Sequence, residues 1–75
     1  MDKSIHSTKY KTVLQNLLKA RHEFGLMQVE VAEKLKKPQS FVSKIERGER
    51  RLDVIELEAF AKLYKKSVDW FLIKK

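Results

Sequence analysis

Residues 28–48 of the 75-residue chain read QVEVAEKLKKPQSFVSKIERG, and they are the most informative part of the sequence. Two short segments with apolar residues at helical spacing, 28–35 and 39–47, flank the tripeptide Lys36-Lys37-Pro38. Proline is tolerated in the first turn of a helix, where its missing N–H leaves no hydrogen bond unmade. The stretch therefore predicts a helix, a tight turn and a second helix that contains Pro38 in its first turn and ends at Gly48.

The second of these helices is expected to have two chemically different faces. On a helical wheel with about 100° per residue, one arc carries hydroxyl, ammonium and guanidinium groups, from Ser40, Ser43, Lys44 and Arg47. The opposite arc is mostly apolar and suits packing on a core. Groups of the first kind suit base edges and phosphates in a DNA groove. The pattern predicts a DNA-facing helix, and the alternative is an ordinary solvated helix surface.

Helical spacing of apolar residues continues on both sides of this pair. The predicted helices are 8–24, 28–35, 39–47, 54–64 and 68–72. Their ends are set by residues that cap helices: Ser7 or Thr8, Gly25, Asp53 with Glu56, and Ser67. The residues expected to face the core are Tyr10, Val13, Leu14, Leu17, Leu18, Arg21, Val31, Ala32, Leu35, Val54, Leu57, Phe60, Ala61 and Tyr64. The prediction is an all-α, compact five-helix domain at residues 7–73, preceded by a flexible segment at residues 1–6.

The composition of the chain limits the classes of function that it can have. The chain carries 17 basic and 10 acidic residues, a net charge of +7, which favours a polyanionic partner. It has no cysteine, no apolar leader and no segment of transmembrane length, so a cytoplasmic protein is expected, with no membrane contact. Neither a nucleophile–base pair nor a phosphate-binding glycine loop is present, and His6 and His22 lack metal-ligand spacing. We expect no enzyme activity, cofactor or metal.

The residues from about 17 to 72 resemble the Cro/cI-type (lambda-repressor-like, XRE-type) helix-turn-helix DNA-binding proteins. The resemblance rests on an ordered set of residues: Arg21, Gly25-Leu26, Gln28, Ala32, Leu35, Val42, Ile45-Glu46, Gly48 and the closing stretch Ser67–Leu72. The family commonly has glycine at Lys36, a hydroxyl cap at Met27, Ser or Thr at Pro38 and proline at Leu52. Of these departures, Lys36 implies a strained left-handed residue in the turn.

The resemblance implies a helix-turn-helix at about 28–47, whose second helix enters the major groove. It assigns base reading to Gln39, Ser40, Ser43 and Lys44. Phosphate contacts are expected from Gln28, Lys36, Lys37, Arg47, Arg50 and Arg51. Arg21 and Glu46 match a structural ion pair that ties the first helix to the third.

Some residues have two interpretations. Phe41 packs on the domain or contacts a thymine methyl group. Trp70 is expected to pack inward, whereas Phe71 or Ile73 is expected to contribute to a dimer interface. Glu30 and Glu33 are ordinary surface charges or a contact to RNA polymerase.

The resulting hypothesis is a sequence-specific regulator of transcription that binds double-stranded DNA. It is expected to be a repressor that acts as a homodimer on a pseudo-palindromic operator. The alternatives are an antitoxin-type module, which binds a toxin partner as well as DNA, and a restriction–modification controller.

Overall fold

The computed structural model describes residues 7–75, and the predicted flexible segment 1–6, with His6, lies outside them. Five helices follow one another: α1 (Thr8–Phe24), α2 (Gln28–Leu35), α3 (Gln39–Glu46), α4 (Val54–Tyr64) and α5 (Val68–Leu72). No strand occurs in this part of the chain. The predicted all-α, five-helix fold is confirmed. Helix α3 ends one residue before the predicted 47, because Arg47 forms its C-cap.

Local side-chain chemistry explains where three of the helices begin. The Ser7 hydroxyl accepts a hydrogen bond from the Tyr10 N–H at 3.0 Å, and the Ser67 hydroxyl accepts one from the Trp70 N–H at 3.2 Å. Asp53 and Glu56 form a reciprocal capping box at the start of α4, with bonds of 2.7 and 3.0 Å. These contacts satisfy backbone N–H groups that a helix start leaves unpaired.

Helices α2 and α3 begin without a side-chain cap. Met27 offers no hydrogen-bonding side chain, and only the reverse half of a capping box forms, since its N–H donates to the Glu30 carboxylate at 2.8 Å. Pro38 was expected inside the first turn of α3, and this is wrong by one residue. Its backbone is extended (φ −68°, ψ 154°), which makes it the N-cap of α3.

One apolar core lies between the five helices. Its buried members are Val13, Leu17, Ala20, Val31, Ala32, Phe41, Val42, Ile45, Leu57, Phe60, Ala61, Tyr64 and Phe71. Phe60 is at the centre, stacked on Phe41 at 6.3 Å and on Tyr64 at 6.1 Å between ring centroids. Val54, predicted to be buried, is 69% exposed because it opens α4 at the rim of a groove.

The buried face of α1 is rotated from the predicted one. Tyr10, Leu14, Leu18 and Arg21 are only partly covered, whereas Thr12, Asn16 and Ala20 are buried together with Val13 and Leu17. The reason is that α1 packs against three helices, α3, α4 and α5, and therefore buries residues on more than one line along its surface. Leu35 of α2 is likewise only half-buried.

Asn16 fixes α5 against α1. Its side-chain amide donates to the carbonyls of Phe71 and Ile73, both at 2.9 Å. The last carbonyls of a helix have no partner within the helix, so a buried amide that binds them stabilises the helix end. This contact holds the C-terminal turn of the domain in place.

Lys36 carries the backbone strain expected in the turn. It adopts a left-handed conformation at φ 60°, as does Lys65 at φ 58° after α4. Replacing Lys36 with glycine, which has no Cβ to clash there, should raise the free energy of unfolding by about 1 kcal/mol. Urea unfolding followed by circular dichroism measures this, with Lys65→Gly as the matched variant at the second left-handed position. A loss of stability in Lys36→Gly would contradict the assigned strain.

Candidate nucleic-acid interface

Helices α2 and α3 pack on each other across a tight, hydrogen-bonded turn. The N–H of Lys36 donates to the Glu33 carbonyl at 3.1 Å, and that of Lys37 donates to the Ala32 carbonyl at 3.0 Å. This pattern closes a helix through a left-handed residue. The turn therefore sets the angle at which α3 leaves α2.

Helix α3 has one buried and one open face. Phe41, Val42, Ile45 and Glu46 point into the domain. The residues assigned to base reading are on the other face, where Gln39, Ser40 and Lys44 are exposed and Ser43 is half-buried. Because Phe41 is buried and stacked on Phe60, it packs on the domain as expected from the first of its two interpretations.

A polar network connects the buried face of α3 to its first residue. Arg21 forms a two-bonded ion pair with Glu46, at 2.8 and 3.1 Å, and also donates to the Leu26 carbonyl at 3.1 Å. The Gln28 amide donates to the same Glu46 carboxylate at 2.9 Å, and its oxygen accepts a 3.5 Å bond from Gln39. The network holds Gln28 and Gln39 side by side at the junction of α2 and α3.

The Tyr64 phenol is buried near this ion pair. Burial raises its pKa, and the negative charge of Glu46 adds to the effect, so the phenol remains neutral at physiological pH. Its hydroxyl oxygen has no hydrogen-bond partner among the described residues. Tyr64 therefore contributes packing, against the edge of Phe24 and the face of Phe60.

The arginines that follow α3 are held by acidic residues of the same chain. Arg47 pairs with Glu49 at 2.9 and 3.0 Å, on the surface. Arg50 pairs with Glu56 at 2.9 and 3.1 Å, and its guanidinium lies 4.8 Å from the centre of the Phe41 ring. These pairs were not predicted, because each involves a residue of the loop after α3, where the spacing is irregular.

The remaining cations of this surface are less constrained. Lys36, Lys44 and Arg51 are exposed and form no ion pair within residues 7–75. The Lys37 ammonium lies 5.2 Å from the centre of the Phe41 ring, on the same side chain that Arg50 covers. The surface around α3 therefore combines free cations with cations that are already paired.

The prediction of Phe71 as an interface residue is wrong. Phe71 is fully buried inside the monomer, in edge contact with Trp70 at 5.0 Å. Trp70, predicted to pack inward, is half-buried, and the Lys66 and Lys75 ammonium groups lie 4.4 and 4.3 Å from the centre of its ring. Within the five residues of α5, apolar spacing does not determine which aromatic ring faces α1. Ile73 is exposed.

Metal-binding clusters and membrane-spanning helices are the other features considered for residues 7–75. Residues 7–75 contain no cluster of His, Asp or Glu side chains arranged to hold a metal ion. None of the helices in that range has the length and apolar character needed to cross a bilayer. His22, Glu30 and Glu33 lie on the surface of α1 and α2, with Glu30 engaged in the cap of α2.

Comparisons with known proteins agree with this geometry. A family model described as helix-turn-helix (HTH_3) matches residues 17–71. An XRE-family like protein from Pseudomonas syringae pv. tomato str. DC3000, of known structure, is 45% identical over 92% of this chain and 84% of that chain, with a TM-score of 0.83. None of the curated proteins compared with the chain matches it. The chain thus belongs to the XRE-type helix-turn-helix family of DNA-binding transcription regulators.

Proposed function

We propose that this protein is a sequence-specific repressor that binds a pseudo-palindromic operator as a homodimer, with α3 in the major groove. The proposal rests on the exposed polar face of α3. The Arg21–Glu46 ion pair fixes the buried face of the same helix, and a cationic loop follows its C-terminal end. Repression by covering a promoter requires nothing more than DNA binding, which is why we favour it over activation.

Base reading is assigned to four residues of the open face, Gln39, Ser40, Ser43 and Lys44. The amide of Gln39 matches the N6 and N7 atoms of adenine, and the ammonium of Lys44 matches O6 and N7 of guanine. The hydroxyls of Ser40 and Ser43 suit either purine. The Gln39 amide nitrogen lies 3.5 Å from the Gln28 amide oxygen, a long contact that favours a Gln39 side chain beside α2.

Backbone contacts are assigned to the amide and cations that surround this face: Gln28, Lys36, Lys37, Arg47 and Arg51. These residues set the position of α3 and supply affinity that is independent of sequence. Arg50 was predicted to bind phosphate as well. Its bonds to Glu56 and to the Arg51 carbonyl, and its contact with the Phe41 ring, favour a structural role instead, in which Arg50 stabilises the loop.

A second copy of the chain is the partner that we assign to the apolar side of α4. Val54 and Ile55 at the start of α4 are both 69% exposed, and Ile73, which follows α5, is 60% exposed. A groove of about 280 Å³ is lined by Tyr10, Val13, Leu52, Asp53, Val54, Leu57, Val68 and Leu72. A two-fold interface uses the same patch on both subunits, so it needs a protrusion and a recess on one surface. This patch has both.

Lys44→Ala separates base reading from backbone binding. The variant should bind the operator more weakly by about 1–3 kcal/mol, and it should no longer prefer one base pair at the position that Lys44 contacts. Arg51→Ala should instead weaken all sequences alike and reduce the slope of log affinity against log salt by about one unit. Fluorescence anisotropy with a set of single-base-pair operator variants measures both. An equal loss on every variant for Lys44→Ala would remove it from the base-reading set.

The proposed mode of action is tested with the bound operator placed in a promoter. Transcription in vitro should fall as the protein is added, and native mass spectrometry should show two protomers on each duplex. A rise in transcription would identify an activator. One protomer per duplex would overturn the homodimer.

A further inference from the structure

One carboxylate lies among the cations that we assign to DNA. Glu49 follows the recognition helix α3, and its N–H donates to the Lys44 carbonyl at 2.8 Å, so the chain folds back onto the end of that helix. Its carboxylate accepts bonds from Nε and Nη2 of Arg47 at 2.9 and 3.0 Å. Hydrogen bonding to Arg47, with the positive charge of Lys44 nearby, lowers the pKa of Glu49. The group is therefore negatively charged at physiological pH.

Glu49 differs from the other acidic partner in this region. Glu56 is largely covered, and it binds Arg50 and also the Asp53 N–H at the start of α4, so it is part of the fold. Glu49 and Arg47 are both 54% exposed, and Arg47 is the only ion-pair partner of Glu49 within residues 7–75. Exposed pairs of this kind are weak and exchange easily with other partners.

We propose that Glu49 is an internal competitor of the DNA backbone, which holds the guanidinium of Arg47 until a phosphate replaces it. A phosphate and a carboxylate bind a guanidinium through the same two-pronged geometry, so they compete for the same N–H donors. The competition weakens binding to every sequence alike, and the base contacts of α3 then supply a larger share of the affinity. The inference rests on the proposed function, because it takes Arg47 to contact phosphate.

Glu49→Gln removes the competing charge while nearly preserving side-chain size. The full chain is titrated into mixed-sequence duplexes of about two helical turns in about 0.1 M salt, so that no operator is needed. We expect binding about 2–5-fold tighter than wild type, the range that corresponds to releasing one exposed ion pair. The gain should be the same on duplexes of different sequence. Thermal unfolding should not change.

Two further variants separate competition from a general change in charge. Glu58→Gln makes the same change in net charge at an exposed residue of α4, and it should leave the affinity within about 1.5-fold of wild type. Arg47→Gln should abolish the effect, so that Arg47→Gln and the double variant Arg47→Gln/Glu49→Gln bind equally. The same gain in the Arg47→Gln background, weaker binding by Glu49→Gln, or a gain confined to one base position would each overturn the proposal.

The same variants distinguish failure of this inference from failure of the proposed phosphate contact. If Arg47 contacts phosphate, the double variant binds more weakly than Glu49→Gln alone. If these two bind equally, Arg47 is not a phosphate ligand, and both assignments fail. If the single Arg47→Gln variant weakens binding while Glu49→Gln has no effect, only the competition is refuted.

Discussion

Replacing Arg21 with methionine is expected to lower the free energy of unfolding by about 3–5 kcal/mol. The Arg21 side chain is 12% exposed and that of its partner Glu46 only 3% exposed, so the ion pair is shielded from solvent. Removing Arg21 leaves the Glu46 carboxylate buried without its counter-ion, and only the Gln28 amide remains bonded to it. The cost comes from that uncompensated charge, and urea unfolding followed by circular dichroism measures it.

The double variant Arg21→Met/Glu46→Met shows whether the pair serves stability or geometry. Two apolar side chains in place of a buried ion pair are commonly neutral or stabilising, so the double variant should recover most of the lost stability. It also removes the anchor of Gln28, and through it the position of Gln39. We therefore expect a stable protein with weakened DNA binding. A double variant less stable than Arg21→Met would contradict this account of the network.

Phe71→Ala is expected to cost about 3–5 kcal/mol, the usual loss on emptying a large aromatic site in a core. Small domains have only about 5–15 kcal/mol in total, so this loss is a substantial share of the stability. The physical reason is that Phe71 is fully buried, and that its carbonyl is one of those that the Asn16 amide binds. Loss of the ring should loosen the whole of α5.

Ile73→Ala is the matched control, because Ile73 lies two residues further along and is exposed. At a protein concentration low enough for the monomer to prevail, its unfolding free energy should stay within about 0.5 kcal/mol of wild type, and any larger loss should appear only at the higher concentration. Unfolding is followed at two protein concentrations, since loss of a dimer contact depends on concentration and loss of core packing does not. If Phe71→Ala weakened only the concentration-dependent part, Phe71 would be an interface residue after all.

Helix positions could be predicted from the sequence because their determinants are local. Ser7, Asp53 and Ser67 cap helices through residues three positions away, and Gly25 supplies the left-handed residue that ends α1. The amphipathic character of α3 also follows from spacing alone, since one face must pack and the other is left open. The fold and the exposed face of α3 can therefore be predicted from the order of the residues.

The details that were missed depend on contacts between distant parts of the chain. In the sequence Asn16 is an ordinary polar residue. Its role depends on carbonyls at the end of α5, more than fifty positions later, to which its amide donates. Trp70 and Phe71 are adjacent, and only the face of α1 decides which ring is covered. The pairing of Arg50 with Glu56 could not be predicted from the sequence, because it depends on the path of the loop between α3 and α4.

Selection of bound sites from random duplex DNA at about 150 mM salt shows whether α3 reads sequence. We expect enrichment of two related half-sites whose centres are about 34 Å apart along the duplex, one helical turn. The half-sites should change at one position when Lys44→Ala replaces the wild type. Strong binding that enriches no sequence would show instead that α3 does not read bases and that its open face is a purely electrostatic surface.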